Sequence, residues 1–134
     1  MTETSYSQPW AAPVASGPLS AAVSLPGSKS LTNRELALSA LASEPTLLTA
    51  PLASRDSALM IQALRLLGTE IDELPNGDLR VTPAAFNRSA TIDCGLAGTV
   101  MRFVPPMAVL AEGDIHFDGD LAARRRPMHT TIDS

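Results

Sequence analysis

Apolar and polar positions along this chain alternate in short blocks, and the blocks differ in period. Residues 1 to about 17 have no period: Ser, Thr, Pro and Ala dominate, with Pro9, Pro13, Pro18 and Gly17 as breakers. That stretch reads as a flexible leader with Trp10 as a surface aromatic. Leu19-Ser-Ala-Ala-Val-Ser-Leu25 predicts a short strand, stopped by Pro26-Gly27. Ser28 or Ser30 then caps a helix to about Ala42, with Leu31, Leu38 and Leu41 spaced for one face. Leu47-Leu48-Thr49 predicts a second strand. A second helix, capped by Ser54 or Asp56, carries Leu59, Ile61, Leu64 and Leu67 and ends at Gly68. Asn76-Gly77 lies between two strand-like runs, Thr69–Leu74 and Asp78–Thr82, which is a strong hairpin signal. A strand near Ala90–Asp93 precedes a helix from Gly98 or Thr99 to about Ala111, and Pro105-Pro106 should kink or interrupt it. Ile115–Phe117 predicts another strand, and Pro127 suits the first residue of a last helix.

Strands alternating with helices give a mixed α/β chain. The strand–turn–helix layout recurs: Ser30 precedes Arg34 by four residues and Gly98 precedes Arg102 by four, a weak sign of an internal repeat. The last predicted helix has hardly begun at Ser134, and helices that short are marginal alone. The sequence therefore reads as residues 18–134 of a longer domain, cut within an element.

Composition narrows the function classes. A length of 134 residues suits one domain or a piece of one, with enough chain to bury a core. A net charge of −4 disfavours bulk nucleic-acid binding. No apolar run reaches the ~20 residues of a membrane helix. The single cysteine forms no internal disulfide, and no Cys/His cluster has zinc spacing. The N-terminus lacks the basic start and apolar stretch of a signal peptide, so a cytoplasmic setting is expected. Of the 10 basic residues only Lys29 is lysine, which makes it stand out, although an Arg and Ala bias of genomic origin says little about function.

Three constellations can carry chemistry, and all three suit anions. In Leu25-Pro26-Gly27-Ser28-Lys29-Ser30-Leu31-Thr32-Asn33-Arg34 a glycine turn feeds a helix N-terminus, whose free N–H groups and dipole attract negative charge. Ser30 and Arg34 project within about 40° of each other, with the Lys29 ammonium beside them. An ordinary capped helix with surface Lys and Arg explains the same residues, and the two readings stay open. The stretch is not a Walker A loop. In Asp93-Cys94-Gly95-Leu96-Ala97-Gly98-Thr99-Val100-Met101-Arg102 the glycines permit close approach, Thr99 can cap the helix, and Arg102 lies one turn along. A tight strand-to-helix turn is the simpler reading. Cys94 reads as a small core residue. In Asp118-Gly119-Asp120-Leu121-Ala122-Ala123-Arg124-Arg125-Arg126-Pro127, Arg126 adjoins the expected helix start and can clamp an anion, while Arg124 and Arg125 read as solvated. His116 reads as packed in its strand, and His129 has no defined role. No metal-ligand set, paired carboxylates or Ser-His-Asp arrangement is visible.

Taken in order, these three motifs resemble 3-phosphoshikimate 1-carboxyvinyltransferases, the EPSP synthases, from about Leu19 to Ser134. The resemblance covers roughly the N-terminal third of such an enzyme. It implies the inside-out α/β barrel fold of enolpyruvyl transferases, made of repeated strand–helix units and incomplete here. It implies transfer of the enolpyruvyl group of phosphoenolpyruvate (PEP) to the 5-hydroxyl of shikimate 3-phosphate, releasing phosphate, with no metal or organic cofactor. By position, Lys29 would be catalytic and contact both substrates, and Ser30 and Arg34 would hold shikimate 3-phosphate. Gly98 and Arg126 would bind PEP, with Thr99 and Arg102 shaping the pocket, and glyphosate would compete there. The expected partners are those two substrates and the missing C-terminal portion of a monomeric cytoplasmic enzyme, with no nucleic acid and no membrane. The first strand would pair within the other domain. Leu96 stands where the family commonly has Asn, and Leu121-Ala122 where it often has Pro-Arg. The family's carboxylate base and its further Lys and Arg residues are absent, so turnover by residues 1–134 alone is not expected. A non-catalytic, split-gene or anion-binding fragment is the alternative. The peptidoglycan enolpyruvyl transferase is a weaker one, disfavoured by Ser30 and Arg34.

Overall fold

A computed structural model describes residues 10–23 and 27–133. Its elements are α1 (Lys29–Ala40), β1 (Thr46–Leu48), α2 (Arg55–Leu67), β2 (Glu70–Glu73), β3 (Leu79–Thr82), β4 (Ala90–Asp93), α3 (Gly98–Ala108), β5 (Ile115–Asp118) and α4 (His129–Ile132). The chain is mixed α/β.

Local signals set most of these boundaries. Ser28 caps α1, its hydroxyl accepting from the Leu31 N–H at 3.3 Å. Ser54 and Ser57 form a reciprocal capping box at the start of α2, and Gly68 caps its end. The hairpin turn is held by Asn76, whose side chain donates to Asp78 Oδ2 at 2.8 Å while its Oδ1 accepts from the Asp78 N–H at 3.2 Å. β3 lies centrally in an antiparallel sheet of order β1-β3-β2, with Ile71 opposite Val81. A second sheet pairs β4 with β5 in parallel, Ala90 opposite Ile115, across the crossover made by α3.

The core lies where α1, α2 and α3 meet the strands. Leu36, Met60, Leu64, Leu67, Val81, Ile92, Val100 and Val104 are fully buried there. α1 packs against α2 and α3, and α2 packs on β4, so all three helices share one apolar seam.

Several expectations are corrected. The predicted face of α1 is on the outside: Leu31, Leu38 and Leu41 are exposed. The buried face is Thr32, Asn33, Leu36, Ala37, Ser39 and Ala40, in which small side chains around Leu36 suit the close packing of α2 and α3. No strand forms over Leu19–Val23, where Leu19 and Val23 are 86% and 75% exposed. A lone extended segment without a partner can satisfy neither its backbone groups nor its alternating apolar side chains. Ser24 to Pro26 lie outside the described residues, as do residues 1–9 of the expected leader. Residues 10–17 carry no helix or strand, and Trp10 is exposed. β1 begins at Thr46, one residue earlier than expected. α3 continues through Pro105 and Pro106 and ends at Ala108, short of Ala111. Each proline removes one backbone donor, and the chain leaves the helix by 3.0 Å turn bonds from the Leu110 and Ala111 N–H groups. Pro127 stands outside α4, which begins at His129 after Met128. His116 is exposed, not packed, because β5 is an edge strand whose outward side nothing covers among the described residues.

Candidate active site

The three loops found in the sequence converge on one end of the fold. α1 and α3 start side by side, and Asn33 joins them. Asn33 is fully buried, and its Nδ2 donates to Thr99 Oγ1 at 2.6 Å and to the Asp56 backbone carbonyl at 3.4 Å. Thr99 therefore does not cap α3; Ala97 occupies the cap position without a side-chain bond. The Thr99 hydroxyl is held by α1 instead. Asp56, on the first turn of α2, places its carboxylate 3.0 Å from Lys29 Nζ. One buried amide thus fixes the spacing of the two helix starts, and a carboxylate beside it holds the lysine.

Ser30 and Arg34 share a face, as their spacing requires, but the bond between them is backbone-mediated. Arg34 Nη1 donates to the Ser30 carbonyl at 3.3 Å. The Arg34 guanidinium lies 5.7 Å above the Phe103 ring of α3, a cation–π contact that ties α1 to α3 again.

Arg126 reaches back to the second loop. Its Nη1 donates to the Leu96 carbonyl at 3.3 Å and lies 3.9 Å from Met101 Sδ. A Cβ placed on Gly98 would stand 3.5 Å from Arg126 Nη1 and 3.6 Å from Arg102 Nη1. Two guanidinium groups thus flank the bare first residue of α3, at the positive end of its dipole. Among the described residues, neither arginine is paired with a carboxylate. Unneutralised fork-shaped donors over free helix N–H groups suit a phosphate or carboxylate. Leu96 contributes its backbone oxygen to Arg126.

Arg124 is exposed, as expected, and is also paired. It forms a bidentate pair with Asp118 at 2.8 Å to each oxygen. That hydrogen-bonded pair and the Gly119 N–H hold the Asp118 carboxyl below the usual carboxylate range. Arg55 makes a second bidentate pair with Asp120, at 3.0 and 3.1 Å, which lowers the Asp120 carboxyl and raises the guanidinium. Cys94 is buried, and desolvation pushes its thiol up to about 11, helped by Asp93 and Asp118, so it is an inert neutral group. Arg125 and His129 are exposed.

The arrangement therefore places Lys29 and Ser30 on the start of α1 and Gly98, Thr99 and Arg102 on the start of α3, with Arg34 one turn along α1 and Arg126 reaching the α3 start from the loop before α4. Sequence reasoning missed the roles of the residues between them: Asn33, Asp56, Arg55 and Asp120. Only Asn33 carried a local signal, a poor helix former in mid-helix. Among the described residues no group of three or more His, Cys, Asp or Glu side chains could hold a metal ion, and no helix is long and apolar enough to cross a membrane.

A family model described as EPSP synthase (3-phosphoshikimate 1-carboxyvinyltransferase) matches residues 14–134. The chain belongs to the EPSP synthase family. It is similar to the 3-phosphoshikimate 1-carboxyvinyltransferase of Kocuria rhizophila, 55% identical over 134 residues, covering 92% of this chain and 30% of that protein. The enzyme of the same name from Bifidobacterium longum is 48% identical over 129 residues, covering 92% of this chain and 29% of that one. A solved EPSP synthase from Acinetobacter baumannii superposes with a TM-score of 0.71 at 27% identity, over 80% of this chain and 25% of that one. The fold is thus that of an EPSP synthase in part, and the chain spans about 30% of the length of the curated relatives it matches.

Proposed function

We propose that this chain is the N-terminal part of an EPSP synthase, and that the completed enzyme transfers the enolpyruvyl group of PEP to the 5-hydroxyl of shikimate 3-phosphate. The observation that carries this reading is the pair of unneutralised guanidinium groups, Arg102 and Arg126, flanking Gly98 next to the α1 start that bears Lys29. Both substrates are polyanions, so two adjacent cationic helix starts suit them. PEP takes the Gly98–Arg126 end, with Thr99 and Arg102 shaping its pocket, and glyphosate competes there. Shikimate 3-phosphate takes the Ser30–Arg34 end. Lys29 lies between, exchanging Asp56 for substrate oxygens. The catalytic contribution of these residues is to position two like-charged reactants and offset their repulsion.

Residues 18–134 form part of a domain that the rest of a cytoplasmic, monomeric enzyme completes, with proton transfer supplied from there. The outward leucines of α1 support this, since Leu38, Leu41, Phe103 and Pro106 line an open apolar recess of about 450 Å³. The test is a chimera in which residues 14–134 replace the matching segment of the Kocuria rhizophila protein. Phosphate release from PEP and shikimate 3-phosphate, abolished by Lys29→Ala, is the expected result. A folded chimera without turnover, or one indifferent to Lys29→Ala, would refute the reading.

A further inference from the structure

The contacts around Arg126 show how its guanidinium is delivered. The backbone from Asp120 to Arg126 is two linked turns. The Ala123 N–H donates to the Asp120 carbonyl at 2.8 Å, and the Arg126 N–H donates to the Ala123 carbonyl at 2.9 Å. Wherever Asp120 is fixed, Arg126 follows. Asp120 is fixed twice. Its N–H donates to the Gly95 carbonyl at 3.0 Å, in the loop that leads into Gly98. Its carboxylate takes both terminal nitrogens of Arg55, on the first turn of α2.

Arg55 also roofs Gly95. A Cβ on Gly95 would come within 3.0 Å of Arg55 Nη2, and one on Gly119 within 2.6 Å of the Gly95 carbonyl oxygen. The two loops are stacked backbone on backbone beneath one guanidinium. Gly95 has φ +49, a left-handed conformation that glycine adopts without strain.

We propose that Arg55 is a positioning residue for the anion site: through Asp120 it sets the register of the loop that presents Arg126 to Gly98. This inference rests on the reading of Arg126 as an anion ligand. The pair is largely exposed, Arg55 at 62% and Asp120 at 41%, and exposed pairs add little to stability. Its effect is on geometry. A bidentate fork fixes orientation where a point charge does not.

The test uses the chimera described above, with Arg126→Ala as the reference variant. Arg55→Ala and Asp120→Asn should each raise the KM for PEP by about tenfold. The KM for shikimate 3-phosphate and the melting temperature should stay close to those of the parent. Arg55→Lys should recover only part of the loss, and the swap Arg55→Asp/Asp120→Arg should recover most of it. If Arg126→Ala leaves the KM for PEP unchanged, the anion reading itself is wrong. If Arg126→Ala raises it and Arg55→Ala does not, the positioning role is overturned. Equal losses for both substrates with a lowered melting temperature would make Arg55 merely structural, and would overturn it too. A second measurement avoids turnover altogether. In the 134-residue chain, NMR contacts between the Arg126 side chain and Gly98 should vanish in Arg55→Ala, and their persistence contradicts the proposal.

Discussion

Asn33 concentrates the account at the scale of single residues. Its Nδ2 serves Thr99, while its Oδ1 is buried without a hydrogen-bond partner among the described residues. Replacing the acceptor by Thr99→Val leaves that amide with only the longer bond to the Asp56 carbonyl. The variant should lose about 1–3 kcal/mol, read by urea unfolding. Gly98→Ala makes the opposite prediction. The added methyl meets its neighbours at ordinary contact distances, so stability should shift by under about 1 kcal/mol. It stands between two guanidinium groups, however, so the KM for PEP should rise in the chimera. Cys94 gives a pH signature. Its thiol moves from the ordinary 9.0 to about 11 in the folded chain. The unfolded chain therefore loses this proton first, and the Cys94 contribution to stability is complete below pH 9.0 and falls as pH rises towards 11. Urea midpoints at the two ends of that window, compared with those of Cys94→Ala, should show the wild type losing more. An equal loss in both would show that Cys94 titrates normally.

Elements whose signals are local were legible in the sequence, and elements whose faces are set from outside were not. The capping serine and closing glycine bound α2, and Asn76-Gly77 marked the hairpin, because those residues act on their immediate neighbours. α1 was bounded well yet turned the wrong way. Leu31 and Leu38 face outward, and α2 and α3 come close enough to bury Thr32, Asn33 and Ser39 instead. Truncation distinguishes the two faces. Leu36→Ala should cost about 2–5 kcal/mol, as a fully buried leucine does. Leu38→Ala, at a side chain 69% exposed, should cost under about 1 kcal/mol in the 134-residue chain. The candidate site divides the same way. Lys29, Ser30, Arg34, Gly98 and Arg126 were legible as motif positions. The pairing of Arg55 with Asp120 was not, since the two are 65 residues apart and meet only in three dimensions.

For the whole molecule, two facts set the expectation. The described fold matches a quarter of a solved EPSP synthase. The carboxylate beside its cationic helix starts, that of Asp56, is held by Lys29 at 3.0 Å. The 134-residue chain alone should therefore release no phosphate from PEP and shikimate 3-phosphate, whereas the chimera should. The most direct measurement of the central claim is a crystal structure of that chimera with both substrates bound. The account predicts the PEP phosphate against Arg126 and the Gly98 backbone, and the shikimate phosphate on Ser30 and Arg34, with Lys29 between them. Either phosphate bound away from these residues, with both helix starts open to solvent, would contradict it.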